Sequence, residues 1–229
     1  MKYANSPVYI STEMVGKMKG LWAISTTPLL NPFCMKMSKC KGLICEKCYS
    51  IFLCKGIRAH VVEKPYTENY KVLSEKILDE KELPRFNRKF KVIRFTAHGE
   101  LINDINFINF VNICNVNPTH TFALWTKRTD IINRNHEIIP DNLILIYSTP
   151  KVDHVAELPK YFHRTFNVFT ADYALDNNIK VNCHGNAKKM TCKKCGICYS
   201  KENKTEQINE VLKFSQKKYY RIKEGKKCK

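Results

Sequence analysis

HTFALWTKRTDIINRNHEIIPDNLILIYSTP, residues 120–150, reads as strand, short helix, strand. HTFALWTKR is a strand and TDIINRNHEI a short helix. NLILIYSTP is a second strand whose unbroken apolar run suits a buried parallel sheet. The same alternation extends in both directions. GLWAIST (Gly20 to Thr26) is the first strand, and KVIRFTAHGE follows with its apolar core between Val92 and Ala97. LINDINFINFVNICNVN places Ile105, Ile108 and Val111, and Phe107, Phe110 and Cys114, at helical spacing, and Pro118 ends it. RTFNVFTADYA supplies a fifth strand. Helical segments are expected from about Tyr49 to Arg58, then after Pro65 through ENYKVLSEKILDEKEL, which Pro84 closes. A charged helix is expected from about Lys204 to Lys218.

Strands alternating with helices predict an α/β fold. The parallel sheet is expected to curl as a partial (β/α) barrel carrying two Cys-rich metal-binding loops. Right-handed crossovers put every strand's C-terminal end on one edge, where ligand and catalytic residues collect in such folds. The strand ends are polar: His98-Gly99-Glu100, Thr126-Lys127-Arg128, Tyr147-Ser148-Thr149 and Thr170-Ala171-Asp172. The first cysteine loop leaves the same edge, after strand one. Residues 1–182 are read as the partial barrel with that loop. Residues 183–229 are read as a second metal loop with a basic C-terminal helix and tail.

Eight of the eleven cysteines fall into two clusters. Cys34, Cys40, Cys45 and Cys48 form the first, with Cys54 close behind. Cys183, Cys192, Cys195 and Cys198 form the second. Four thiolates suit either a tetrahedral zinc or a cubane iron–sulfur cluster. The run C-x2-C-x2-C from Cys192 favours a 4Fe-4S cluster, with zinc as the alternative, and Gly196 eases its tight backbone. In the first loop Cys40, Cys45 and Cys48 are the tightest trio. Three thiolates would leave one iron open to an exogenous molecule, and Cys34 is then spare or a fourth ligand. Lys188, Lys189, Lys193 and Lys194 either offset thiolate charge or are ordinary loop lysines. Cys114 is expected to be a buried hydrophobe and Cys228 a free thiol in the tail.

Gly99, Glu100 and Ser148, at strand ends, are the candidate cofactor-binding residues. Gly99 permits close backbone approach, and Glu100 offers a carboxylate acceptor for an amine. Glu100 equally suits the N-terminal dipole of the following helix. Lys127 and Arg128 are candidate phosphate or carboxylate binders. His120, His136, His154 and His163 lack ligand spacing and are read as structural.

The formal charge is +18, from 39 Lys plus Arg against 21 Asp plus Glu. Such an excess supports contact with nucleic acid or nucleotides. An AT-rich genome would also enrich Lys, Asn and Ile. No apolar run reaches the ~18–20 residues of a membrane span, and the N-terminus lacks a signal-peptide core. A cytoplasmic protein is expected, where clustered cysteines favour metal over disulfides.

The loop ending CEKCYS, the strand and turn VIRFTAHGELIN, the strand FALWTK and the terminal CKKCGIC together resemble a phage-encoded family, the gene product 88 family. The likeness covers most of Leu21 to Cys198. That resemblance implies a phage-encoded protein working in the cytoplasm of a host cell, with a host protein as a further partner class. The layout also resembles radical S-adenosylmethionine enzymes, which place a three-cysteine loop after the first barrel strand and a Gly-Glu after the second. Here Cys40, Cys45 and Cys48 match the loop, as C-x4-C-x2-C against the family's C-x3-C-x2-C, and Gly99-Glu100 match the turn. The resemblance implies an iron–sulfur enzyme that uses S-adenosylmethionine on a nucleic acid, nucleotide or protein, with the terminal cysteines as an auxiliary cluster. The alternative is a non-enzymatic nucleic-acid-binding or host-interaction protein stapled by metal.

Overall fold

Six parallel strands lie side by side in chain order: β1 (Trp22–Ile24), β2 (Val92–Phe95), β3 (Thr121–Thr126), β4 (Leu143–Val152), β5 (Arg164–Phe169) and β6 (Gln207–Val211). The sheet is open, and its β1-to-β6 order is that of a partial barrel. The structure is a computed structural model that describes residues 6–57, 59–87, 91–184, 190–213 and 215–223. Among these, no helix is long and apolar enough to cross a membrane.

The helices are α1 (Pro32–Met37), α2 (Tyr49–Lys55), α3 (Ala59–Glu75), α4 (Asp104–Asn115), α5 (Thr129–Arg134), α6 (Ala171–Asp176), the single turn α7 (Cys192–Cys195) and α8 (Gln216–Lys223). The first cysteine loop, α2 and α3 connect β1 to β2. Asp104–Asn115 connects β2 to β3, and the second cysteine segment lies between β5 and β6. One face of the sheet carries the main core. Ile24, Ile93, Phe95, Phe122, Leu124 and Leu145 pack there against Leu73 of α3 and Phe107 and Phe110 of α4. Phe95 stacks between Phe110 and Phe122, with centroids 4.1 and 5.1 Å away. Stacked aromatic pairs of this kind add about 0.5–1.5 kcal/mol each beyond their buried area. Strand side chains alternate between faces. Ala23, Arg94, Ala123, Trp125, Ile144 and Ile146 therefore belong to the other face, which no long helix covers among the described residues. Tyr199, Cys192 and Cys198 pack onto Trp125, Ile144 and Ile146 there.

Buried asparagines join the connections. Asn109 is fully buried. It accepts from the Leu78 amide at 2.9 Å and donates to the carbonyls of Leu73 and Lys76. Asn117 likewise accepts from Phe86 N–H and donates to Pro84 and Ile113 carbonyls. The described chain from residue 76 to 87 carries little regular structure, so these amides satisfy backbone groups that would otherwise be buried unpaired.

Two predicted elements differ. The helix expected from Lys204 to Lys218 is instead the edge strand β6 followed by α8. Ile208 and Val211 are buried in the sheet, and Asn209 accepts from Asn167 Nδ2 on β5 at 3.0 Å. Cross-strand pairing thus overrides a helical apolar period. The long helix expected to run to Leu83 ends at Glu75, and only a 3-10 turn at Glu80–Glu82 follows. Pro65 lies inside α3 rather than before it. Because β6 lies beyond residue 183, the C-terminal segment contributes a strand to the same sheet as residues 22–169. The tail with Cys228, and Lys188 and Lys189, lie outside the described residues.

Candidate functional site

The first cysteine loop stands at the C-terminal edge of the sheet, and buried polar bonds hold it there. Asn31, wholly buried, caps α1 by accepting from the amides of Phe33 and Cys34 at 3.0 and 3.4 Å. Its Nδ2 donates to the carbonyls of Glu100 and Leu101 at 3.1 and 3.4 Å. One side chain therefore ties the loop after β1 to the turn after β2. Tyr49, just beyond Cys48, donates its hydroxyl proton to Ala97 O at 2.6 Å. Leu43 bridges to Lys151 at the end of β4. The expected meeting of loop and strand ends is present.

Gly99 has φ +83°, and a Cβ there would run into the hydroxyl of Thr26 and stand 2.6 Å from the Thr26 carbonyl oxygen. The backbone that this glycine admits is the end of β1. Thr26 N–H donates to His98 O at 3.1 Å, and among the described residues its own buried hydroxyl has no hydrogen-bond partner. Thr96 just upstream also takes positive φ (52°), held by bonds from its amide to Ile24 O and from its hydroxyl to Trp125 O. For a β-branched residue that is a strained conformation.

Glu100 is buried and heavily used. Its Oε1 accepts from Leu101 N–H at 2.8 Å and Thr126 Oγ1 at 2.5 Å, and its Oε2 accepts from Lys127 N–H at 3.0 Å. Three of the roughly four acceptor positions of a carboxylate are filled. Lys127 extends its Nζ to Ser148 Oγ at 3.2 Å, which leaves the Ser148 proton free to donate elsewhere. Burial works against the Lys127 charge, but Glu100 and the thiols of Cys45, Cys34 and Cys48 outweigh it and raise its pKa. Arg128 is committed to structure: it pairs with Asp130 at 2.8 Å and donates to the carbonyls of Leu101 and Ile102.

Cys34 and Cys45 thus share the field of Lys127 and Glu100, and Cys48 that of Lys127. Burial pushes the Cys34 thiol up, with Glu100 and Cys48 adding to the shift; burial likewise raises Cys45. Cys40 stands further out, with its Sγ directed to Lys36 O at 3.5 Å, and of these thiols it adds its charge to Cys45. The trio nearest the polar network includes Cys34, where spacing alone selected Cys40. Cys54 is buried at the end of α2 and Cys114 is buried in α4.

The second set lies against the uncovered sheet face. Thr191 caps α7 and Gly196 ends it in the left-handed conformation (φ +70°), as its smallness suggested. Cys183 bridges to β6 and its amide donates to Asn209 O at 3.0 Å. Burial, then Glu210, raises the Cys183 thiol to about 12, and burial raises Cys192 and Cys198 as well. Lys17, paired with Glu210 at 2.5 Å, and Arg94 are the cations that oppose this. Lys193 and Lys194 are exposed. A cleft of about 290 Å³ opens beside Cys192 between Leu21, Val92 and Tyr199.

All ten described cysteines are free thiols. Among the described residues no three His, Cys, Asp or Glu side chains close tightly enough to hold one metal ion. The thiols of each set are near enough to feel one another's charge, without closing on a point. The donor chemistry fits a soft metal or an iron–sulfur cluster, and each set has a partly buried cation beside it. His120, His136 and His163 bond backbone carbonyls or amides, consistent with structural roles. The residues that spacing alone did not reveal are Asn31 and Arg94. An asparagine before proline is an N-cap signal, whereas the lone charge within VIRF gains meaning only from its sheet neighbours.

These features define an α/β protein with an open parallel sheet, a polar C-terminal edge and two cysteine sets. The chain belongs to the Gene product 88 family, whose sequence model matches residues 11–217. Comparison with curated proteins and with solved structures gives no match.

Proposed function

We propose that the chain is an iron–sulfur protein that works in the cytoplasm of a phage-infected host. Its first centre sits at the C-terminal edge of the sheet, and its chemistry is of the radical S-adenosylmethionine type. The observation that supports this reading is the convergence of Cys34, Cys45 and Cys48 with Glu100, Lys127 and Ser148 at that edge. When bound, a cluster with one open iron would supply the electron that cleaves a sulfonium. The chain's own residues would do the rest. Glu100 keeps one acceptor position for an amine. Ser148 keeps a hydroxyl proton to donate. Lys127 offsets the negative charge of thiolate ligands and suits a carboxylate. Asn31 and Tyr49 hold the loop to the strand ends so that these groups stay in register.

The basic excess of the chain suits a polyanionic substrate such as nucleic acid. A metal-stapled binding protein, with zinc in either cysteine set, is the competing class. Reduced, anaerobically purified protein incubated with S-adenosylmethionine decides between them. Formation of 5′-deoxyadenosine that depends on Glu100 and on the first-loop cysteines is the expected result. No nucleoside product, with zinc as the bound metal, would assign the chain to the competing class.

A further inference from the structure

Arg94 sits in β2, on the sheet face that no long helix among the described residues covers. Its register neighbours are Ala23 on β1 and Ala123 on β3. One alanine on each side leaves room for a large side chain to lie flat. The guanidinium carbon stands 3.9 Å from the centroid of the Trp125 ring. One nitrogen donates to the Met18 sulfur at 3.4 Å, a weak acceptor, and among the described residues the sealed Nε has no hydrogen-bond partner. Among the described residues no carboxylate pairs with it. Glu210, the acid on that side, is already paired with Lys17.

A guanidinium that is half-buried, with its Nε sealed from water and no anion beside it, is costly. The groups whose charge Arg94 feels are the hydroxyls of Tyr199 and Tyr49 and the thiols of Cys192 and Cys198. The same two cysteines pack on the Trp125 patch where the guanidinium lies. Tyrosine hydroxyls are neutral near pH 7. Thiolates become available there only when a metal takes their protons. A metal centre with four thiolates carries net negative charge and would supply the missing anion.

We propose that Arg94 is a built-in counter-cation for a thiolate metal centre formed by Cys183, Cys192, Cys195 and Cys198. The inference rests on the reading that these cysteines hold metal, but not on which metal. Arg94 makes no bond to the metal; it is a positioning and charge-balancing residue. Its signature is a pair of effects with opposite sign. Removing the charge relieves the metal-free protein of an unpaired cation and weakens metal binding.

The test uses the full chain with Cys34→Ser, Cys45→Ser and Cys48→Ser to silence the first set. Anaerobic titration with cobalt(II) is followed by its thiolate charge-transfer absorption. Urea unfolding of the metal-free protein is run in parallel. Arg94→Met is expected to leave the metal-free protein at least as stable as its parent. Its cobalt affinity should fall about 10-fold or more, since at an effective dielectric near 20 one unit charge contributes that much even across roughly 12 Å. Arg94→Lys should recover most of that loss. Arg94→Gln provides the same comparison if the methionine variant fails to fold. Unchanged cobalt affinity in Arg94→Met would overturn the inference and leave the metal reading standing. A loss of metal-free stability matching the loss of affinity would make Arg94 a structural residue instead. No thiolate absorption in the parent would overturn the metal reading itself, and the inference with it.

Discussion

Replacing Gly99 with alanine should cost far more than its backbone angle alone explains. Gly99 and Gly42 have nearly the same conformation, φ +83° and +78°. An L-residue in this region costs roughly 1 kcal/mol relative to glycine. Gly42 is exposed and a Cβ on it meets nothing within 4 Å, so Gly42→Ala should lose about that much. A Cβ on Gly99 would collide with the Thr26 hydroxyl, and it would stand 2.6 Å from the Thr26 carbonyl oxygen and 3.1 Å from its carbon. Thr26 cannot simply retreat, because it is buried and its amide donates to His98 O. Overpacking of this kind adds about 1–3 kcal/mol. Gly99→Ala should therefore lose about 2–4 kcal/mol, measured as a shift in urea midpoint at constant slope. Adding Thr26→Ala removes the hydroxyl but not the carbonyl, so recovery should be partial. Equal losses for Gly99→Ala and Gly42→Ala would refute the close contact between the ends of β1 and β2.

Two further outcomes follow from the geometry and a third from the charge of the chain. His98 is buried between Tyr49 and Tyr66, and burial, then Arg94, lowers its pKa to about 4. The unfolded chain takes up this proton near pH 6.5, so the contribution is complete above that pH and is lost as pH falls toward 4. The loss approaches about 3 kcal/mol; His98→Gln should flatten the stability profile across that window, and an unchanged profile would contradict the assignment. Asn31→Ala removes a buried cap and two donated bonds, and should cost about 2–4 kcal/mol while loosening the first cysteine loop to proteolysis. Binding to nucleic acid should lose orders of magnitude between roughly 50 and 200 mM salt if ~6–10 phosphates are contacted; no binding at low salt would assign the charge of the chain to composition alone.

The parallel sheet was legible because FALW and LILIY are apolar without interruption, and because helices separate most of the strands. The polar edge was legible from strand ends such as Thr126-Lys127 and Tyr147-Ser148. What joins those ends was not, since Glu100, Thr126, Lys127 and Ser148 meet only once the register is set. The sixth strand was hidden by its own period. Ile208, Val211 and Leu212 sit at helical spacing, and the signal for a strand, Asn209 bonding Asn167 and Asn182, is not local. Buried asparagines were the larger omission. Asn31, Asn69, Asn106, Asn109 and Asn167 are fully buried, yet in a chain rich in asparagine they resemble background composition. Asn69 alone satisfies the backbone of Tyr9 and Ser25 across more than forty residues. Arg94 likewise looks ordinary until its alanine neighbours and its place over the Trp125 ring are seen.

The most direct test of the central claim is iron and acid-labile sulfide per chain in anaerobically purified protein. It should be run for the parent, for a variant lacking Cys34, Cys45 and Cys48, and for one lacking Cys192, Cys195 and Cys198. The account predicts a brown parent with iron and sulfide in equal amounts, about four of each per cubane cluster. Each triple variant should lose one cluster's share. Colourless protein that carries zinc without sulfide, or metal content that neither variant changes, would contradict it.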